Sequence, residues 1–211
     1  MKIICVGRNY AEHAAELGDE PPTAPLLFGK FTNTLIGPGE PIVIPPEATH
    51  VDAEAELCLE IGTAGHRIPE ARALEHVRGY RCANDLSARN IQYTESQWTR
   101  AKGFDTFCPL GDRLVPVSEL GDGSGLRVVQ RLNGEVLQDG STSDLIFPVP
   151  FLVAYISNVF SLAPGDLILT GTPPGVGWGR DPKISLVHGD VVEVEITGIG
   201  VLRNPVVAER R

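Results

Sequence analysis

The segment Ala53–Ile61 reads AEAELCLEI, and its strict alternation constrains the fold more than any other stretch of the chain. Successive side chains of a strand point to opposite faces. Ala53, Ala55, Leu57, Leu59 and Ile61 therefore share one side, while Glu54, Glu56, Cys58 and Glu60 share the other. The apolar side belongs against a core. Around this strand, 23 glycines and 17 prolines among 211 residues break the chain into short, turn-rich elements. At this length one well-cored domain spanning 1–211 is expected, of β-rich α+β class.

The remaining elements fit that class. A strand at Lys2–Val6 leads into a short helix, Tyr10–Leu17, closed by Gly18 and the Pro21-Pro22 pair. LLFGKFTNTLIGPGEPIVIPP reads as strands separated by Gly-Pro turns, and Pro69–His76 as a short helix. GYRCAN is a strand that runs into a helix expected from about Asp85 to Tyr93. In LRVVQRLNGEVLQDG the Asn133-Gly134 pair signals a hairpin with a type I′ turn. Pro148–Phe160 suits a helix, and the segments LILTGTP and DVVEVEITGIGVL are strand-rich. No repeat, low-complexity segment or linker interrupts the pattern.

The net charge of −9, without a run of like charges, argues against nucleic acid or an anionic membrane as partner. No apolar run approaches the roughly 18 residues of a membrane span, and MKIICVGRNY turns polar too early for a signal peptide. A cytoplasmic location and small-molecule partners are the expectation. Cys5, Cys58, Cys82 and Cys108 are widely spaced, lack any C-x-x-C pairing and are expected to be reduced.

The chemistry-bearing residues start with Glu54 and Glu56. At i and i+2 on one strand face they stand roughly 7 Å apart at the backbone, so both can reach one hard cation, which would relieve their repulsion. Taken alone, the same pattern also describes a solvated strand face. Asp85, at the expected strand-to-helix junction, is a third candidate ligand or else a helix N-cap. Arg89 and Gln92 follow it at helical spacing, giving an acid, a cation and an amide on one wall. Three carboxylates without matching Cys or His suit Mg2+, Mn2+ or Ca2+ rather than zinc. His13 and Glu16, three apart in the first helix, form either a water-activating pair or a solvated face. Lys102, among aromatic residues, is either a snorkelling surface lysine or a cation facing an anionic substrate. In LILTGTPPGVGWG, the missing G-x-x-x-x-G-K pattern and the lack of a following helix signal argue against a phosphate loop. The segment is either an ordinary tight turn or one whose exposed Gly171 amide and Thr172 amide or hydroxyl grip a carboxylate.

Seven collinear blocks carry a resemblance over nearly the whole chain: CVGRNYAEHAAELG, FGKFTNTLIGPGEPIVIPP, VDAEAELCLEIG, GYRCANDLSARNIQ, QWTRAKGFDTFCPLG, LILTGTPPGVG and GIGVLRNPV. Together they resemble the fumarylacetoacetate hydrolase family, in particular its short members related to acylpyruvate hydrolases and 2-hydroxyhepta-2,4-diene-1,7-dioate isomerases. The resemblance implies a mixed β-roll, a homodimer, and a divalent metal held by Glu54, Glu56 and Asp85. It further implies that His13 and Glu16 match a catalytic dyad, that Lys102, Arg89 and Gln92 match substrate-side positions, and that Gly171 and Thr172 match a carboxylate-binding turn. Asn90 and Ala53 depart from the family pattern, and neither departure removes a ligand. The implied reaction is hydrolysis of a carbon–carbon bond in an acylpyruvate-type 2-oxo acid through a metal-stabilised enolate. Oxaloacetate decarboxylation or dienedioate isomerisation would use the same site, and a metal-dependent binding protein without catalysis is the third possibility.

Overall fold

The computed structural model describes residues 1–209; Arg210 and Arg211, the end of the expected domain, lie outside the described residues. The alternating segment forms the strand Ala55–Ile61 inside a six-stranded mixed sheet. The sheet order is Val115–Pro116, Val77–Asn84, Ala55–Ile61, Leu167–Leu169, Ile3–Gly7 and Leu26–Lys30. A second sheet runs in the order Glu135–Ser141, Arg127–Leu132, Val191–Ile196, Gly200–Ala208 and Ile42–Ile44. With a few short helices, this is the expected sheet-rich α+β fold.

The apolar side of the alternation faces the second sheet. Leu57, Leu59 and Ile61 join Val128, Val194, Ile196 and Leu202 in one core, together with Leu152, Val153 and Ile156 from the helix Val149–Val159. Each such fully buried aliphatic side chain contributes about 1.5–3 kcal/mol, so the strand is held rigidly in place. The opposite side is not solvated either. Cys58 packs with Ile3, Cys5, Cys108, Leu167 and Leu169, and every residue of the strand is buried. Glu54 and Glu56 therefore project from a fixed strand into the interior of the protein rather than into water.

The hairpin appears as expected, with positive φ at both Asn133 (53°) and Gly134 (88°), the geometry of a type I′ turn. Glu70–His76 winds as a 3-10 helix rather than an α-helix. The larger difference concerns the helix expected from Asp85. The chain stays extended through Ala88, and only Arg89–Gln92 is helical. Tertiary hydrogen bonds are the reason. The Asp85 amide donates to Glu54 O, the Leu86 amide donates to Phe107 O, and Ser87–Ala88 pairs with Val51–Asp52. Asp85 is thus not an N-cap, and its carboxylate is free for other partners. Among the described residues no helix is long and apolar enough to cross a membrane.

Candidate active site

Register and burial bring the three expected carboxylates together. Glu54 immediately precedes one strand and Glu56 stands near its start, and Asp85 follows the end of its antiparallel neighbour, where Ala55 pairs with Asn84. One oxygen from each of Glu54, Glu56 and Asp85 lies within 4.8 Å of the others, and all three residues are buried. Oxygens bound to one ion at about 2.0–2.6 Å can be at most about 5 Å apart, so the cluster has the dimensions of a hard divalent site.

The electrostatics agree with that fit. Glu54 accepts from Arg89 Nη2 (2.7 Å) and Lys102 Nζ (2.7 Å), and Asp85 accepts from Lys30 Nζ (2.6 Å) and Lys102 Nζ (2.6 Å). Glu56 accepts only the Gly171 amide, at 2.7 Å, and has no cationic partner among the described residues. Burial, followed by the charges of Asp85 and Glu54, pushes its carboxyl well above the usual range. Burial alone would raise the Glu54 carboxyl too, but Lys102 and Arg89 hold it below its ordinary value. One buried carboxylate is therefore left without a countercharge beside two others, the arrangement that a bound divalent cation would neutralise.

These carboxylates line a cavity of about 170 Å³ together with His13, Arg89, Gln92, Lys102 and Thr172. It is smaller than the roughly 300–1,000 Å³ typical of drug-sized ligands, so its dimensions suit a small molecule. His13 Nδ1 faces Glu16 Oε2 at 3.2 Å, and Glu16 Oε1 accepts from the Gly175 amide at 2.9 Å. The dyad geometry expected from spacing is present, with Nδ1 engaged and Nε2 the nitrogen left for chemistry. Lys102 is not a snorkelling surface residue. It is buried, 4.9 Å from the Phe28 ring centre, and although burial disfavours its charge, Asp85 and Glu54 hold its ammonium above the ordinary lysine value. Arg89 donates to Gln92 Oε1 at 2.8 Å, so these two meet on one wall even without the long helix that the spacing suggested.

The Gly171–Thr172 turn differs from expectation. Both residues are buried, the Gly171 amide is committed to Glu56, and the Thr172 hydroxyl donates to Ala55 O and accepts from Gln138 Nε2 (2.7 Å). The segment runs alongside Ala55–Leu57, where Thr170 Oγ1 also donates to Leu57 O, and this turns the Gly171 amide toward Glu56. The four cysteines are free, as expected, and all are buried; burial pushes the Cys82 and Cys108 thiols up to about 12, so neither is a nucleophile at neutral pH.

Two functional side chains escaped the sequence reading. Lys30 was visible as a lone lysine between Phe28 and Phe31, yet nothing in that pattern shows it fully buried against Asp85. Asp52, next to the alternating strand, takes Arg89 Nε (3.0 Å) and the Gly177 and Trp178 amides (2.8 and 3.0 Å). It ties the cavity arginine to the loop that also holds Glu16. Asp52→Ala should cost about 3–5 kcal/mol, the usual penalty for stripping one partner from a buried ion pair. A denaturant midpoint unchanged from the parent would show that Arg89 does not depend on it.

The chain is similar to several known proteins. It is 45% identical over 208 residues to a mitochondrial oxaloacetate tautomerase of Xenopus laevis, covering 98% of this chain and 65% of that relative, so it spans about two thirds of the relative's length. A 5-carboxymethyl-2-hydroxymuconate delta-isomerase structure from Mycobacterium smegmatis matches with a TM-score of 0.89 at 43% identity, covering 100% of this chain and 80% of that one. A fumarylpyruvate hydrolase from Pseudomonas aeruginosa, solved in complex with Mn2+ and pyruvate, matches with a TM-score of 0.90 at 33% identity, covering 99% and 90%. The family model described as fumarylacetoacetate (FAA) hydrolase C-terminal matches residues 2–207, and the chain belongs to the fumarylacetoacetate hydrolase family.

Proposed function

We propose that this chain is a divalent-metal-dependent enzyme that moves a proton on a small 2-oxo acid, by keto–enol tautomerisation or the closely related double-bond isomerisation. The observation that carries this reading is a single small cavity with the Glu54, Glu56 and Asp85 carboxylates on one side and His13, backed by Glu16, lining it as well. Mg2+ or Mn2+ held by those three carboxylates would supply positive charge for the oxo and carboxylate oxygens of the acid. His13 takes a proton from the substrate carbon and delivers it to the enolate oxygen, or to the far carbon of the shifted double bond, while Glu16 fixes the ring. Lys102 places an ammonium near the negative charge that develops on the oxo oxygen. Arg89, Gln92 and Thr172, each tied to the protein by its own hydrogen bonds, shape the wall that the acid meets.

Hydrolysis of an acylpyruvate is the second reading, and the same dyad favours it, because a base in the position of His13 can serve a water molecule instead of a substrate carbon. Relatives named as a tautomerase and an isomerase, at 43–45% identity, support the proton-transfer reading, and hydrolases at 33–40% support the second. A homodimer remains part of the proposal, carried by the family resemblance. With Mg2+ and Mn2+ in turn, the decay of enol-oxaloacetate absorbance should accelerate when the protein is added. Rapid acylpyruvate cleavage without any effect on the enol would reverse the order of the two readings, and carbon dioxide release would point to decarboxylation.

A further inference from the structure

Three arginine and lysine side chains line the cavity, and two of them are already spoken for. Arg89 faces Asp52, Glu54 and Gln92, and Lys102 faces Glu54 and Asp85, while Lys30, behind the lining, is sealed against Asp85 and the Leu86 carbonyl. The third, Arg8, is different. It lines the same cavity, but its side chain is 32% exposed and its one acidic partner is Asp19, itself 29% exposed, at 2.9 Å. A half-exposed ion pair of this kind is worth little and exchanges readily for another anion.

The backbone shows that this position is built. Arg8 has φ 57°, in the left-handed region that non-glycine residues seldom occupy, and it is the cavity-lining member of the few such residues in the described structure. Trp98 lies so close to Gly7 that a Cβ there would meet its ring at 2.6 Å, which holds the turn down. The Arg8 guanidinium sits 5.6 Å from the centre of that same ring. Strain, a supporting aromatic plane and a replaceable counter-ion thus converge on one guanidinium at the open side of a small anion-binding cavity.

Building on the proposed 2-oxo-acid chemistry, we infer that Arg8 is a specificity-determining residue that binds a second carboxylate on the substrate, exchanging Asp19 for it. The preferred substrates are then dianions, 2-oxo acids with another carboxylate a few carbons from the oxo group. A monoanionic 2-oxo acid would use the deep carboxylates and the wall but leave Arg8 with Asp19.

Oxamate and N-oxalylglycine share an oxalyl head and differ by a carboxymethyl group, so their affinities, measured by calorimetry with Mg2+ or Mn2+ present in the parent and in Arg8 variants, isolate the contact. The parent protein should bind N-oxalylglycine at least about tenfold more tightly than oxamate, the worth of one charge-assisted hydrogen bond. Arg8→Gln should erase that preference and leave oxamate affinity within about twofold. Asp19→Asn should move the other way, strengthening N-oxalylglycine by a few fold, because the guanidinium no longer has to be released. A structural clamp between Arg8 and Asp19 makes a different prediction: both variants would weaken both ligands. That result, or an undiminished preference in Arg8→Gln, overturns the inference. If the parent binds neither ligand, the 2-oxo-acid reading itself fails and this one falls with it.

Discussion

Glu56→Ala should abolish metal binding and metal-dependent activity while leaving the protein folded. Glu56 is 2% exposed, holds no cation, and stands beside Glu54 and Asp85, so its charge is a burden to the metal-free protein. Removing it deletes one of three ligands and relieves that repulsion. The metal-free variant should therefore melt no lower than the parent once the small cavity left by the side chain is allowed for. What disappears is the gain on adding Mg2+ or Mn2+, since a ligand stabilises only the folded protein that binds it. Glu60→Ala is the control. Glu60 lies on the same side of the strand, roughly 13 Å further along from Glu56, and is held instead by Arg78 (2.7 Å) and Arg81 (2.9 Å). That variant should bind metal like the parent. Calorimetry showing unchanged Mg2+ affinity in Glu56→Ala would remove the carboxylate cluster from consideration as the metal site.

That experiment was designable from sequence because the alternation of Ala53–Ile61 is local information. A period of two says which side chains share a face, and the Asn133-Gly134 turn and the three-residue spacing of His13 and Glu16 are equally local. What local pattern cannot supply is the company a face will keep. The polar side of the strand resembled a solvated surface, and its burial follows from Cys5, Cys108 and Leu169, which arrive from distant parts of the chain. Lys30 meets Asp85 across 55 positions, and Asp52 meets Arg89 across 37. Neither spacing has a periodic signature. Asp85 shows the converse error: local rules favoured a helix cap there, and backbone bonds to Glu54 and Phe107 overrode them. The Gly171 amide was assigned to a substrate for the same reason, since only the fold reveals that Glu56 already accepts it.

His13→Ala should separate proton transfer from binding. Its imidazole is not one of the three clustered carboxylates and is held by Glu16, which the Gly175 amide anchors from 159 positions away. The variant should therefore bind Mg2+ and oxalate almost as tightly as the parent. Its kcat for the proton-transfer reaction should fall by about 10²- to 10⁴-fold, the usual worth of one general base. The relative losses identify what the base acts on. If His13 serves a substrate carbon, enol-oxaloacetate conversion collapses; if it serves water, acylpyruvate cleavage collapses while tautomerisation is better preserved. Any oxaloacetate decarboxylation should survive best, because it requires no base to start. Glu16→Gln should follow His13→Ala in direction but with a smaller loss, since an amide can still hold the ring but no longer sets a negative charge beside it. Equal loss of all activities, together with weakened oxalate binding, would mean that His13 shapes the cavity rather than carrying a proton, and an unaffected rate would dispose of the dyad.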